Sequence, residues 1–172
     1  MNVVLFQPEI PPNTGNVARL CAATRTRLHL IEPLGFRLDE PTLRRAGLDY
    51  WDYLEWRVWP DWTTFRAALP PDARLWFVEA NGPRRYTEVA YAPDDYLVFG
   101  RETAGLPPRL LQDHPDRWIR LPMFHPGVRS LNLANCVAVV LFEALRQLGF
   151  PGERSSSATG QGPSPARPFK CQ

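Results

Sequence analysis

Short apolar runs alternate with helix-patterned stretches along this chain, and that alternation restricts it to an α/β fold. The layout it predicts is a mainly parallel sheet with helices on both faces. The runs are Asn2 to Phe6, Leu28 to Ile31, Arg74 to Val78, Tyr96 to Phe99 and Trp118 to Leu121. Each has strand length, and each is followed by proline or glycine. Between the first two, Pro11-Pro12-Asn13-Thr14-Gly15 is turn chemistry, with Asn13 or Thr14 placed to cap a helix. Val17, Leu20, Cys21 and Thr24 then recur at helical spacing. Pro41 to Ala46 and Asp61 to Leu69 suit further helices. Leu131 to Leu148 predicts the longest one, with Val137, Val140, Leu141 and Ala144 on one face and Gly149 and Pro151 as the stop. The folded domain is expected over residues 1–151. Residues 152–172, rich in Ser, Gly and Pro, read as a disordered tail.

Charge and composition remove several classes of function. The excess of positive charge lies after residue 150, where Arg154, Arg167 and Lys170 face one acid, Glu153. The rest of the chain is neutral, so any nucleic acid must be held by local patches and not by an overall field. The longest apolar run, Val137 to Phe142, is far below the ~20 residues of a bilayer span. No membrane association is expected. Cys21, Cys136 and Cys171 are odd in number and widely spaced, which reads as free thiols in the cytoplasm. His29, His114 and His125 lack metal-ligand spacing, so no metal is expected.

In sheets of this kind ligands sit beyond the carboxyl ends of the strands. The loops after Val78, Phe99 and Leu121 are therefore the places to look for chemistry. Neither a G-x-G-x-x-G after the first strand nor a G-x-x-x-x-G-K-[ST] occurs, and no G-x-S-x-G elbow is present. Three other segments are dense in Gly, Pro and small polar residues. They are Pro11 to Asn16, Gly100-Arg101-Glu102-Thr103-Ala104-Gly105-Leu106, and Arg129-Ser130-Leu131-Asn132-Leu133-Ala134-Asn135. Taken singly they could be a strand-to-helix turn, an ordinary glycine loop and a helix start with a serine cap.

In this order, these segments make residues 2–151 resemble the SPOUT class of RNA methyltransferases. The resemblance is to its compact branch, which methylates the 2'-hydroxyl of the wobble ribose, position 34, in tRNA. Pro8 to Asn16, Ile31 to Phe36, Arg44 to Tyr50 and Glu143 to Gly149 extend the likeness. It implies a deep trefoil knot in the C-terminal part, against the usual rule that chains do not thread. It also implies S-adenosylmethionine as methyl donor, tRNA as partner, and a homodimer formed through the last helix. Val78, Gly100, Leu121 and Ser130 match the cofactor positions, while Asn13, Asn16, Arg129 and Asn132 match polar positions toward the substrate. Backbone groups hold a flat adenine well, and glycine permits the close approach.

The matching catalytic position is Arg19. It either activates the hydroxyl or clamps the phosphate beside the target ribose. Arginine is essentially always protonated and makes a poor base. Glu102 is expected to hydrogen-bond a neighbouring loop. Arg44-Arg45 and Arg84-Arg85 are candidate phosphate contacts. The chain departs from its relatives at Arg101, where proline is usual, at Phe142, where some have tyrosine, and by one extra residue between Pro122 and Val128. Two alternatives stand beside the main reading: 2'-O-methylation of ribosomal RNA, and binding of RNA and cofactor without turnover. With the first strand at Asn2, no added RNA-binding domain is expected ahead of it, which suits a compact target such as an anticodon loop.

Overall fold

The computed structural model describes residues 1–38 and 51–153. The helix expected at Pro41 to Ala46, the Arg44-Arg45 pair and the tail from Arg154 lie outside the described residues. Within them the order is β1 (Asn2–Phe6), α1 (Pro11–Thr24), β2 (Arg27–Ile31), β3 (Trp56–Trp59), α2 (Trp62–Ala67) and β4 (Leu75–Val78). It continues with β5 (Arg84–Arg85), β6 (Tyr96–Phe99), α3 (Pro108–Gln112), β7 (Trp118–Arg120) and α4 (Leu133–Gln147).

All seven strands form one sheet in the order β3-β2-β1-β6-β4-β7-β5. Every pairing is parallel: Val4 faces His29 of β2 on one side and Val98 of β6 on the other, and Phe77 of β4 faces both Val98 and Trp118. A parallel sheet is covered on both faces, so its central strands read as unbroken apolar runs. All five residues of β1 are buried.

Alternate residues of β1 feed two cores. Val3 and Leu5 pack with Val17 and Cys21 of α1 and with Val137, Val140, Leu141 and Ala144 of α4. Val4 and Phe6 pack with Trp59, Phe65 of α2, Phe77 and Leu111 of α3. Each such aliphatic or aromatic side chain contributes roughly 1.5–3 kcal/mol on burial. His29 sits at the rim of the second core, where its Nδ1 accepts from Trp59 Nε1 at 3.1 Å. Burial pushes its pKa down to about 4, so the ring is a neutral acceptor.

Two strands were not expected. β3 lies inside the tryptophan-rich stretch, and β5 is the Arg84-Arg85 pair itself. Arg85 is ion-paired to Glu88 at 3.4 Å, and Arg84 donates to the carbonyl of Asp116, so both arginines are engaged within the fold.

A second correction concerns helix starts. α1 opens at Pro11, with Ile10 at the cap and no side-chain cap. Asn13 and Thr14 lie inside its first turn because proline, lacking an N–H, already suits the first helical position. At α4 the cap is Asn132, whose Oδ1 accepts from the amides of Ala134 at 2.9 Å and Asn135 at 3.4 Å. Ser130 therefore does not cap it.

Candidate functional site

The parallel strands bring the ends of β4, β6 and β7 side by side, and a cleft of about 390 Å³ opens beyond them. That size falls in the range of small-molecule sites. Its floor holds Val78 and Phe99, the last residues of β4 and β6, with Leu121 just past β7. Its walls are the Gly100 to Gly105 loop, the Arg129 to Leu133 segment, Ile10 and Asn13.

The glycine loop is a closed hairpin. The Arg101 amide donates to the Gly105 carbonyl at 3.1 Å, and the Gly105 amide returns the bond at 2.9 Å. A proline at this position would have no amide hydrogen and could not make the first of these bonds. Gly105 has φ +67°, a left-handed conformation that glycine adopts without penalty. A Cβ added at Gly100 would lie 2.2 Å from the Gly105 carbonyl carbon and 2.4 Å from the Leu106 nitrogen. Both obstacles are backbone, so only glycine fits there.

Carboxylates tie the loops together. Glu102 accepts from the amides of Glu9 at 2.8 Å and Ile10 at 3.2 Å, and from Asn13 Nδ2 at 3.1 Å. Glu9 answers by accepting from Thr103, through its amide at 3.0 Å and its hydroxyl at 2.7 Å. The Thr103 hydroxyl and amide hold the Glu9 carboxyl below its ordinary value. Asn132 Nδ2 then donates to Asn13 Oδ1 at 2.8 Å. A continuous chain of hydrogen bonds thus runs from the glycine loop through α1 to the start of α4. On the far wall Glu79 accepts from the Leu106 amide at 2.9 Å and the Ala80 amide at 3.1 Å. Cys136 also lines the cleft, and burial pushes its thiol up, which keeps it protonated and un-nucleophilic.

Of the residues singled out from the sequence, Val78, Gly100, Leu121, Ser130, Asn13, Arg129 and Asn132 all line this cleft. Asn16 and Arg19 do not; both are exposed on the outer face of α1. Glu102 bonds a neighbouring loop, as expected. Glu9, Thr103 and Glu79 were missed. Glu79 carries a readable signal, an acid directly after a strand end, whereas the Glu9–Thr103 contact spans 94 positions and leaves no local trace. Among the described residues no group of three or more His, Cys, Asp or Glu could hold a metal ion, and no helix is long and apolar enough to cross a membrane.

Comparison with known proteins places this geometry in context. The profile of the SpoU rRNA Methylase family matches residues 1–142. A protein of Burkholderia ambifaria named tRNA (cytidine(34)-2'-O)-methyltransferase is 58% identical over 153 residues, which cover 88% of this chain and 97% of that one. An Escherichia coli K12 protein of the same name is 50% identical over 153 residues, covering 88% and 96%. A solved structure described as giving insights into the 2-OH methylation of C/U34 on tRNA superposes with a TM-score of 0.83 at 47% identity, covering 86% of this chain and 95% of that one. The methyltransferase AviRb of Streptomyces viridochromogenes, solved with AdoMet, shares the fold at TM-score 0.74 and 24% identity, covering 86% and 60%.

Proposed function

The chain belongs to the SpoU rRNA Methylase family, and from that footing we propose that it moves a methyl group from S-adenosylmethionine to the ribose 2'-oxygen of nucleotide 34, cytidine or uridine, in tRNA. One observation carries the reading: identity of 50–58% across 96–97% of proteins named for that reaction. The cleft supports it independently. A concave site floored by strand ends, with Gly100 allowing the backbone close approach, suits an adenosine moiety. We assign Val78, Gly100, Leu121 and Ser130 to holding the cofactor, and residues 1–151 to the methyltransferase domain.

When bound, S-adenosylmethionine supplies a methyl carbon made electrophilic by its sulfonium. The chain's own tasks are positioning and removal of the hydroxyl proton. Asn13 and Asn132, hydrogen-bonded to each other and through Asn13 to Glu102, both line the cleft. Their role is to orient the ribose so that the 2'-oxygen faces the methyl. Arg129, exposed beside them, and Asn16 and Arg19 on the outer face of α1, meet the sugar and phosphate. The 2'-oxygen would take the methyl as the methyl–sulfur bond breaks, and the hydroxyl proton would pass to solvent, with Arg19 either activating the hydroxyl or clamping the phosphate beside it.

The decisive experiment is transfer of labelled methyl from S-adenosylmethionine to total tRNA, followed by nucleoside mapping. Label in 2'-O-methylated nucleotide 34 is expected. Label in ribosomal RNA alone would move the reading to the other substrate that the family name carries. Label in neither, with the cofactor still bound, would leave a binding protein.

We also propose that two copies pair through the outer face of α4. Val139 and Phe142 there are 37% and 49% exposed, and Leu131 at its head is 40% exposed, an apolar stripe unusual for a solvent face. Phe142→Asp is expected to convert a sedimenting dimer to a monomer, and a wild-type monomer would remove this proposal. The trefoil knot is proposed for the segment after residue 100, on the strength of the shared fold, and an experimental trace of that segment decides it. A cytoplasmic location is proposed from Cys21 and Cys136, both free, and is checked by cell fractionation.

A further inference from the structure

Two arginines line the cleft, Arg101 and Arg129, and neither has an ion pair among the described residues. The acids around them are already used. Glu79 and Glu102 accept from backbone amides and Asn13, and both oxygens of Glu9 are taken up by Thr103. Arg101 is the more constrained of the two. Its Nε is buried and has no hydrogen-bond acceptor. A buried guanidinium N–H without an acceptor is unfavourable, because it has surrendered water and received nothing in return.

The other buried polar atoms without a hydrogen bond do not share this position. Arg74 Nε lies 3.1 Å from the Asp95 carboxylate, and Thr14 does not line the cleft. Arg101 also follows directly on Gly100, so its guanidinium is carried by the same closed hairpin that shapes the cleft. Arg101 acts at a distance on the Glu9 carboxylate but makes no hydrogen bond or ion pair with it, so it is a cationic fork in a concave site whose carboxylates accept their hydrogen bonds from other groups. Such a fork suits a planar or tetrahedral oxyanion.

We infer that Arg101 is an oxyanion-binding position of this cleft, completed by a carboxylate or phosphate of a bound ligand. The inference rests on the methyltransferase reading, which offers two sources: the carboxylate on the cofactor's amino-acid arm, and a phosphate beside the target ribose. The backbone bonds of the hairpin do not involve the Arg101 side chain, so Arg101→Met and Arg101→Lys leave them in place. Both variants are expected to melt with the wild type.

The test is calorimetric binding of S-adenosylhomocysteine, and of its analogue lacking the carboxylate, together with tRNA binding across a salt series. With the cofactor carboxylate as partner, Arg101→Met weakens S-adenosylhomocysteine at least tenfold, Arg101→Lys recovers part of the loss, and the decarboxylated analogue binds wild type and Arg101→Met alike. The wild type alone then also discriminates the two ligands, so this arm survives a variant that fails to fold. With phosphate as partner, S-adenosylhomocysteine binding is unchanged, tRNA binding weakens, and the slope of log affinity against log salt falls by about one. Unchanged binding of both ligands by Arg101→Met overturns the inference and leaves the methyltransferase reading intact. A wild type that does not bind S-adenosylhomocysteine at all removes both.

Discussion

Gly100→Ala is expected to lose most cofactor affinity and several degrees of melting temperature together. The added methyl would meet the Gly105 carbonyl carbon at 2.2 Å and the Leu106 nitrogen at 2.4 Å. Neither atom can rotate away, because the pair of Arg101–Gly105 backbone bonds holds the hairpin closed. Relief means opening that hairpin or pushing it into the cleft. Overpacking of this kind costs about 3 kcal/mol at the upper end of its range. For a chain of this size that is a fall of roughly 6–12 °C in Tm. S-adenosylhomocysteine affinity should drop at least tenfold with it. Gly149→Ala provides the contrast. There nothing lies within 4 Å of the added carbon, and only the φ of +73° is penalised. It should cost about 1–2 kcal/mol and leave ligand affinity unchanged. Equal effects at the two glycines would mean that steric closure of the cleft is not what Gly100 provides.

Arg19→Ala should lower methyl transfer roughly a hundredfold or more while leaving Tm and S-adenosylhomocysteine affinity at wild-type values. The reason for the split is position. Arg19 is exposed on α1, outside the lining of the cleft, yet on the same helix as Asn13, which does line it. Six residues of helix separate the two by about 9 Å along the axis and about 120° around it, so on the proposed reading Arg19 meets the tRNA strand and not the cofactor. Misplacing a reacting group by a single ångström can cost a hundredfold. Arg19→Lys separates the two roles. A phosphate clamp keeps much of its worth with any cation, and the loss should then appear in KM and in the salt dependence. A role that needs the guanidinium itself is not rescued, and kcat falls. Arg19→Ala with undiminished transfer would take this residue out of the mechanism.

What could be read from the residues, and what could not, divides by distance along the chain. Apolar runs with punctuation at both ends identified β1, β2, β4, β6 and β7, because burial on both faces of a parallel sheet writes itself locally as consecutive hydrophobic residues. The strand ends then pointed to the cleft, and Val78, Gly100 and Leu121 lie in it. β3 escaped because Trp56-Arg57-Val58-Trp59 is an edge strand of four residues with only Trp59 fully buried, so its pattern is weak. β5 has two residues, both charged, and no pattern at all. The start of α1 was misread for another reason. Asn13 looks like a cap, but its side chain is claimed by Glu102 and Asn132, from 89 and 119 positions away. The amides ahead of the helix are likewise satisfied by Glu102. Local capping rules cannot see a carboxylate delivered by tertiary folding.

Those same long spans bear on how the molecule comes into being. Synthesis runs from the amino end, and the first strand emerges with its two sheet partners unequal in age: β2 follows at once, while β6 arrives about 70 residues later. The cleft draws on Ile10 and Asn13 at one extreme and on Leu133 and Cys136 at the other. No shorter nascent fragment contains it. A ligand that stabilises the finished protein by mass action therefore has nothing to hold until the last helix has begun to form, and β1 keeps one edge unpaired until β6 has been made.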